Sequence, residues 1–201
     1  DAGMPDMCFG IYDWALVVDH EDRQSWLVGR DAGCMNSRQW NELIALFSSY
    51  QVVPEGQPFR VSGDILPNLT QQQYAVAFEQ IRGYIHEGDC YQANFAQRFS
   101  ASCQGDPWQA YIKLRELNPS PYAAYLNTPF GQILSSSPER FLRVQERQVE
   151  TRPIKGTRPR SDDRSEDERL LAELEHSEKD RAENLMIVDL LRNDLGKSCD
   201  P

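Results

Sequence analysis

The chain has 201 residues, 40% hydrophobic and 26% charged, which suits one large soluble domain or two small ones. A net charge of −10 argues against nucleic acid or an anionic membrane as the main partner. No apolar run approaches the roughly 18 residues of a membrane span, and no charged-then-apolar signal segment opens the chain.

Residues 9–19 are rich in β-formers and read as a strand. His20-Glu21-Asp22-Arg23 reads as a polar turn, and Ser25 to Val28 as the returning strand. Ser37 is placed to cap a helix running to about Ser49, with Trp40, Leu43, Ile44 and Phe47 on one face. Residues 50–69, with Pro54, Gly56, Pro58, Gly63 and Pro67, read as a linker with one short strand at Phe59–Val61. Thr70 and Gln73 form a capping box for a helix whose stripe is Tyr74, Phe78, Ile81 and Ile85 and whose end is Gly88.

Cys90 to Phe99 alternates like a half-buried strand, with Gln92, Asn94 and Arg98 on its polar side. Asp106-Pro107 starts a helix that ends near Leu117, before Asn118-Pro119-Ser120-Pro121. Short strands follow near Tyr122–Leu126, Gln132–Ser136, Arg140–Val144 and Gln148–Arg152. From Asp163 the chain reads as helical, with a second cap at Ser177/Asp180 and Ala182, Leu185, Met186 and Leu190 facing inward. The order of helices and strands suggests an α+β fold with antiparallel sheets.

The five cysteines, Cys8, Cys34, Cys90, Cys103 and Cys199, are scattered and form no CxxC pair. They read as reduced thiols of a cytoplasmic protein. His20, His86 and His176 share no ligand spacing. The opening without methionine, and the stop at Pro201 just after a patterned helix, suggest an internal stretch of a longer protein.

The stretch that concentrates chemistry is Arg152-Pro153-Ile154-Lys155-Gly156-Thr157-Arg158-Pro159-Arg160. Two prolines stiffen it, and Gly156 permits a sharp turn or a close approach. Neighbouring cations favour loss of the Lys155 proton, and a neutral amine is a nucleophile. The arginines suit bidentate contacts to an anionic substrate. The plain alternative is a basic surface loop paired with the acidic run that follows it.

Five stretches in order resemble one family: Gly88-Asp89-Cys90-Tyr91-Gln92, Asn118-Pro119-Ser120-Pro121-Tyr122, Ser136-Ser137-Pro138-Glu139-Arg140-Phe141, Arg152-Pro153-Ile154-Lys155-Gly156-Thr157, and Asp180 through Asp194. The resemblance is to the chorismate-utilising enzymes: anthranilate, isochorismate, salicylate and aminodeoxychorismate synthases. It implies an α+β sandwich of orthogonally packed antiparallel sheets with outer helices. Residues 1–69 would be a remnant of the N-terminal region with a linker, and residues 70–201 the N-terminal half of the catalytic domain.

Isochorismate and salicylate synthases carry a water-activating lysine where this chain has Gln92, and a glutamine is no base. Anthranilate synthases carry alanine where this chain has Lys155. A lysine there is similar to the aminase component of the aminodeoxychorismate branch, which makes 4-amino-4-deoxychorismate from chorismate with ammonia from a glutaminase partner. On this resemblance Lys155 is the nucleophile and Glu139 the general acid, whose role asks for a pKa raised by burial.

Thr157, Gly156 and Gln92 would contact substrate, and Glu183 would be a Mg²⁺ ligand whose second carboxylate partner lies outside these 201 residues. Pro121, Tyr122 and Ala123 match the segment that lines a tryptophan pocket, for which the plain alternative is a helix-to-strand turn. Two other readings stand beside this one. The first is anthranilate synthase component I, and the second a chain that only binds its glutaminase or tryptophan.

Overall fold

A computed structural model describes residues 3–30, 35–49 and 56–200. Cys34, Pro54 and the chain ends, on which parts of the sequence reading fall, lie outside the described residues. The described cysteines Cys8, Cys90, Cys103 and Cys199 are free thiols. No helix among the described residues is long and apolar enough to cross a membrane. The chain divides into two compact units, Asp1–Gln57 with Pro129–Gly131, and Pro58–Thr128 with Gln132–Pro201.

The first unit is built on a hairpin of β1 (Trp14–Asp19) and β2 (Gln24–Gly29), in antiparallel register from Trp14↔Gly29 to Asp19↔Gln24. Asp19 Oδ1 accepts from the N–H groups of Glu21 and Asp22, the short polar side chain making the turn. Helix α1 (Ser37–Ser48) meets this hairpin through aromatic rings, Phe47 against Trp14 with centroids 5.7 Å apart. Its cap is Asn36, one residue earlier than Ser37, because Asn36 and Gln39 close a reciprocal capping box.

The second unit opens with β3 (Arg60–Pro67), paired antiparallel to β4 (Phe99–Gln104). This corrects the reading of 50–69 as a linker with a strand only at Phe59–Val61. A glycine and a proline are tolerated because the register shifts between Ser62 and Leu66 and Pro67 ends the strand. Helix α2 (Gln71–Glu87) has the Thr70/Gln73 capping box, and Gly88 closes it at φ 84.

Residues 90–98 are not the strand that their alternation suggests. The ladder stops at Pro67↔Phe99, and the alternation serves side-chain contacts instead. Phe95 stacks on Tyr74 at 4.7 Å, and Gln97 donates to the Leu69 carbonyl at 2.9 Å.

Helix α3 (Pro107–Leu117), capped by Asp106, packs on β5 (Tyr122–Thr128). Trp108, Tyr111 and Tyr125 form a ring cluster with centroids 5.1–5.6 Å apart. Tyr111, 7% exposed, is the one buried side chain among the described residues. β5 pairs with β6 (Gly131–Ser137), and β7 (Arg143–Gln145) pairs antiparallel with β8 (Gln148–Glu150).

A loop then leads to α4 (Arg164–His176), capped by Asp163, and α5 (Glu178–Gly196), capped by Ser177. The inward face of α5 differs from its apolar stripe. Ala182, Leu185 and Leu190 are exposed, while Asp180, Glu183, Met186, Ile187, Leu191 and Leu195 are half-buried. Apolar spacing cannot reveal that polar partners, Arg158 on Asp180 and Gln92 on Glu183, meet the first turns of this helix. The architecture is α+β with antiparallel sheets.

Candidate active site

Glu139 lies between β6 and β7, Lys155 in the loop between β8 and α4, Glu183 on α5, and Gln92 between α2 and β4. Three hydrogen-bonded contacts gather these segments within the second unit.

The first joins Glu139 to the lysine loop. Ser137 Oγ accepts from the Glu139 N–H at 3.2 Å and holds the turn. The Glu139 carboxylate oxygen Oε1 then accepts from the Ile154 N–H at 3.0 Å, one residue before Lys155. Glu139 is exposed. The burial that a general-acid role asks for is therefore absent among the described residues, because the β6–β7 connection lies at a surface here.

The second joins the loop to the helices. Arg158 Nε donates to Glu173 Oε1 at 2.8 Å, and its Nη2 lies 3.1 Å from Asp180 Oδ2. Gly156, at φ 74, packs so closely that a Cβ there would lie 2.9 Å from Asp180 and Leu174 side-chain atoms. This is the positive-φ close approach that glycine alone allows without strain.

The third joins α5 to the segment after α2. Gln92 Nε2 donates to Glu183 Oε1 at 3.4 Å in a half-buried setting.

The arginines of the loop do not form an open anion clamp. Arg152 pairs with Glu150 at 2.7 Å, Arg158 with Glu173 and Asp180, and Arg160 grips Asp167 with two bonds of 2.7 Å. Most of these carboxylates lie in the acidic run after the loop, so the plain alternative holds for the arginines. Among the described residues, Lys155 is the cation of this loop that no carboxylate pairs with, and it is half-buried. Gly156 is half-buried beside it and Thr157 is exposed.

Several carboxyls carry the electrostatic mark of this pairing. A hydrogen bond from Ser177, and then Arg158, hold the Asp180 carboxyl below the usual range. Arg160, and then the Ser161 N–H, do the same for Asp167.

Magnesium takes few carboxylates and completes its shell with water and substrate oxygens. Glu183 suits one such ligand, being half-buried and oriented by Gln92. No cluster of three potential metal-ligating side chains occurs among the described residues. The donor set thus fits a single carboxylate ligand.

Pro121 and Tyr122 of the Pro121–Ala123 segment line different grooves. Pro121 lines a groove of about 500 Å³ with Ile112 and Arg115, whereas Tyr122 lines one of about 470 Å³ with Glu139 and Phe141. Arg140 donates to the Tyr122 hydroxyl at 3.0 Å and to Glu150 at 2.7 Å. Ala123 donates its N–H to the Ser120 carbonyl, which is ordinary turn geometry.

The plain alternative paired the loop with the acidic run but did not single out Glu173 and Asp180 as the partners of Arg158. The available signal was the basic loop followed by acidic helices, with Asp180 one helical turn before Glu183.

The sequence profile of the chorismate binding enzymes matches residues 1–201. Aminodeoxychorismate synthase component 1 of Escherichia coli (strain K12) is 46% identical over 197 residues, which is 98% of this chain and 42% of that relative. The protein of the same name from Bacillus subtilis (strain 168) is 39% identical over 207 residues, covering 98% of this chain and 43% of its own length. The crystal structure of anthranilate synthase component I from Streptococcus pneumoniae TIGR4 superposes with a TM-score of 0.80 at 29% identity, covering 97% of this chain and 44% of that one. The chain thus spans about two fifths of the length of the curated relatives it matches.

Proposed function

Since this chain belongs to the chorismate binding enzyme family, we propose that it carries the amination chemistry of an aminodeoxychorismate synthase, converting chorismate and ammonia to 4-amino-4-deoxychorismate for 4-aminobenzoate and folate synthesis. The ammonia comes from a glutaminase partner, and the reaction runs in the cytoplasm. The observation that carries this reading is the Ile154–Glu139 hydrogen bond of 3.0 Å, which joins the candidate acid to the loop of the candidate nucleophile.

The amine of Lys155 forms a bond to the chorismate ring as the C4–oxygen bond breaks. Glu139 gives its proton to the departing hydroxyl, which leaves as water. Ammonia then bonds to C4, the ring–Lys155 bond breaks with its electron pair returning to the lysine amine, and a proton from the new C4 ammonium restores Glu139. Chorismate and ammonia thus yield the aminated product and one water. Glu183 would hold Mg²⁺, whose positive charge offsets the two carboxylates of the substrate. Gln92 orients Glu183, and its amide cannot activate water, which favours ammonia over water addition. Tryptophan enters as a candidate ligand of the Pro121–Ala123 segment.

The test is adduct trapping in the complete protein with ammonia withheld. Mass spectrometry is expected to find chorismate-derived mass on the peptide containing Lys155, lost in Lys155→Ala. Lys155→Arg is expected not to restore activity, because a guanidinium stays protonated. An adduct elsewhere, or full activity in Lys155→Arg, would refute the nucleophile. The structural likeness to anthranilate synthase favours a second reading. Direct appearance of fluorescent anthranilate would select it.

A further inference from the structure

The loop that holds Lys155 is anchored to α5 by a contact with no part in the chemistry described above. Arg158 follows Lys155 by three residues, and its side chain is 25% exposed. Its guanidinium meets three acceptors at once: Glu173 Oε1 at 2.8 Å, Asp180 Oδ2 at 3.1 Å and the Thr157 carbonyl at 2.9 Å. Asp180 is 15% exposed, and its N–H donates to Ser177 Oγ at the helix cap. The close packing of Gly156 on Asp180 and Leu174 means that the loop backbone touches the helix at this point.

Asp180 and Glu183 are three residues apart and share one face of α5. A shift of the loop along the helix therefore moves Lys155 relative to Glu183. At its other end the loop is tied to Glu139 through Ile154.

We propose that Asp180 is a positioning residue which, through Arg158, holds the Lys155 loop in register with the turn of α5 that carries Glu183. The proposal rests on the reading above in taking Lys155 as the nucleophile. A planar guanidinium suits this role because its donors diverge in one rigid fork, whereas a lysine in its place makes one point contact. A displacement of about 1 Å at a reacting group costs up to about a hundredfold in rate.

The test uses Asp180→Asn, Asp180→Glu and Arg158→Lys in the complete protein. In Asp180→Asn and Arg158→Lys, kcat and the rate of Lys155 adduct formation are expected to fall together by about tenfold or more. KM for chorismate should change less than kcat, because the clamp acts on the placement of Lys155 while Gly156 and Thr157 are only part of the substrate contacts. Amide exchange at Ile154, whose N–H donates to Glu139, is expected to accelerate by about tenfold as the loop opens more often. Asp180→Glu keeps a carboxylate and is expected to recover most of the rate. Unchanged exchange and kcat in Asp180→Asn would overturn the proposal, as would a raised KM with kcat intact. The two readings fail separately. A wild-type protein with no adduct on Lys155 refutes the nucleophile, while unchanged loop exchange in Asp180→Asn refutes the clamp.

Discussion

The side-chain amide of Gln92 lies 3.4 Å from the Glu183 carboxylate, across 91 residues of sequence. The two sit on different elements, one after α2 and one on α5. Their contact ties the segment that separates water from ammonia chemistry, by the family resemblance, to the candidate magnesium ligand. Glu183→Ala is expected to weaken the apparent Mg²⁺ affinity by tenfold or more while leaving the fold intact, since the residue is half-buried and meets the polar side chain of Gln92. Gln92→Leu should weaken it less, as groups that orient a ligand matter roughly tenfold to a hundredfold. The check is a magnesium titration of turnover, and an unchanged midpoint in Glu183→Ala would remove the metal role.

Glu139→Gln separates proton donation from loop anchoring. An amide oxygen can still accept the Ile154 N–H, so the 3.0 Å contact has a replacement while the acidic proton does not. Turnover is expected to fall by about 10²-fold or more with chorismate binding retained. Turnover within about threefold of wild type would dismiss Glu139 as the acid. Glu139→Ala should also speed amide exchange at Ile154.

Gly156→Ala tests the close approach. Its φ of 74 and the Asp180 and Leu174 atoms 2.9 Å from a Cβ leave no room for a methyl group. The left-handed backbone alone costs about 1–2 kcal/mol, so chemical denaturation should show at least that loss. Activity should fall further than stability, because the displaced residue is next to Lys155. A variant with wild-type stability and rate would mean that the loop does not hold this conformation.

Acid should loosen the loop and the two C-terminal helices first. Asp180, Asp167 and Glu166 each have a carboxyl held below its usual range, by Ser177 and Arg158, by Arg160 and Ser161, and by Arg169 respectively. A depressed folded-state value means stability that is present above the unfolded value, about 4, and lost as pH falls through the lower folded one. Thermal melts should therefore be level from neutral pH to about 5 and decline below about 4. Salt should blunt the effect, since these pairs reach solvent. Arg160→Gln is expected to flatten the acid decline, and an identical acid limb in that variant would show that Asp167 contributes nothing.

Local structure was legible wherever the chain satisfies its own backbone. Thr70 with Gln73, Asp106 with Pro107, and Ser177 with Asp180 marked helix starts because a side-chain oxygen three residues or fewer away meets an unpaired N–H. The misreadings share another cause. Residues 62–67 looked like linker because Gly63 and Pro67 break strands, yet the partner β4 absorbs them with a shift of register. Residues 90–98 looked like a strand, yet no ladder partner pairs with them among the described residues, since β4 begins only at Phe99.

The sequence by itself determined the α+β class, most of the helix starts, and the short motifs in which Lys155, Glu139 and Glu183 are embedded. Each depends on interactions within a few residues or on the order of motifs along the chain. Only the tertiary structure decided which charges meet. It assigned Arg152, Arg158 and Arg160 to carboxylates of this same chain, left Glu139 exposed but tied to the lysine loop, and turned Asp180 and Glu183 inward. The physical reason is that an ion pair or a side-chain hydrogen bond depends on distances of about 3 Å between groups remote in sequence. Helical periodicity identifies an apolar stripe, but the face a helix covers is set by what packs against it.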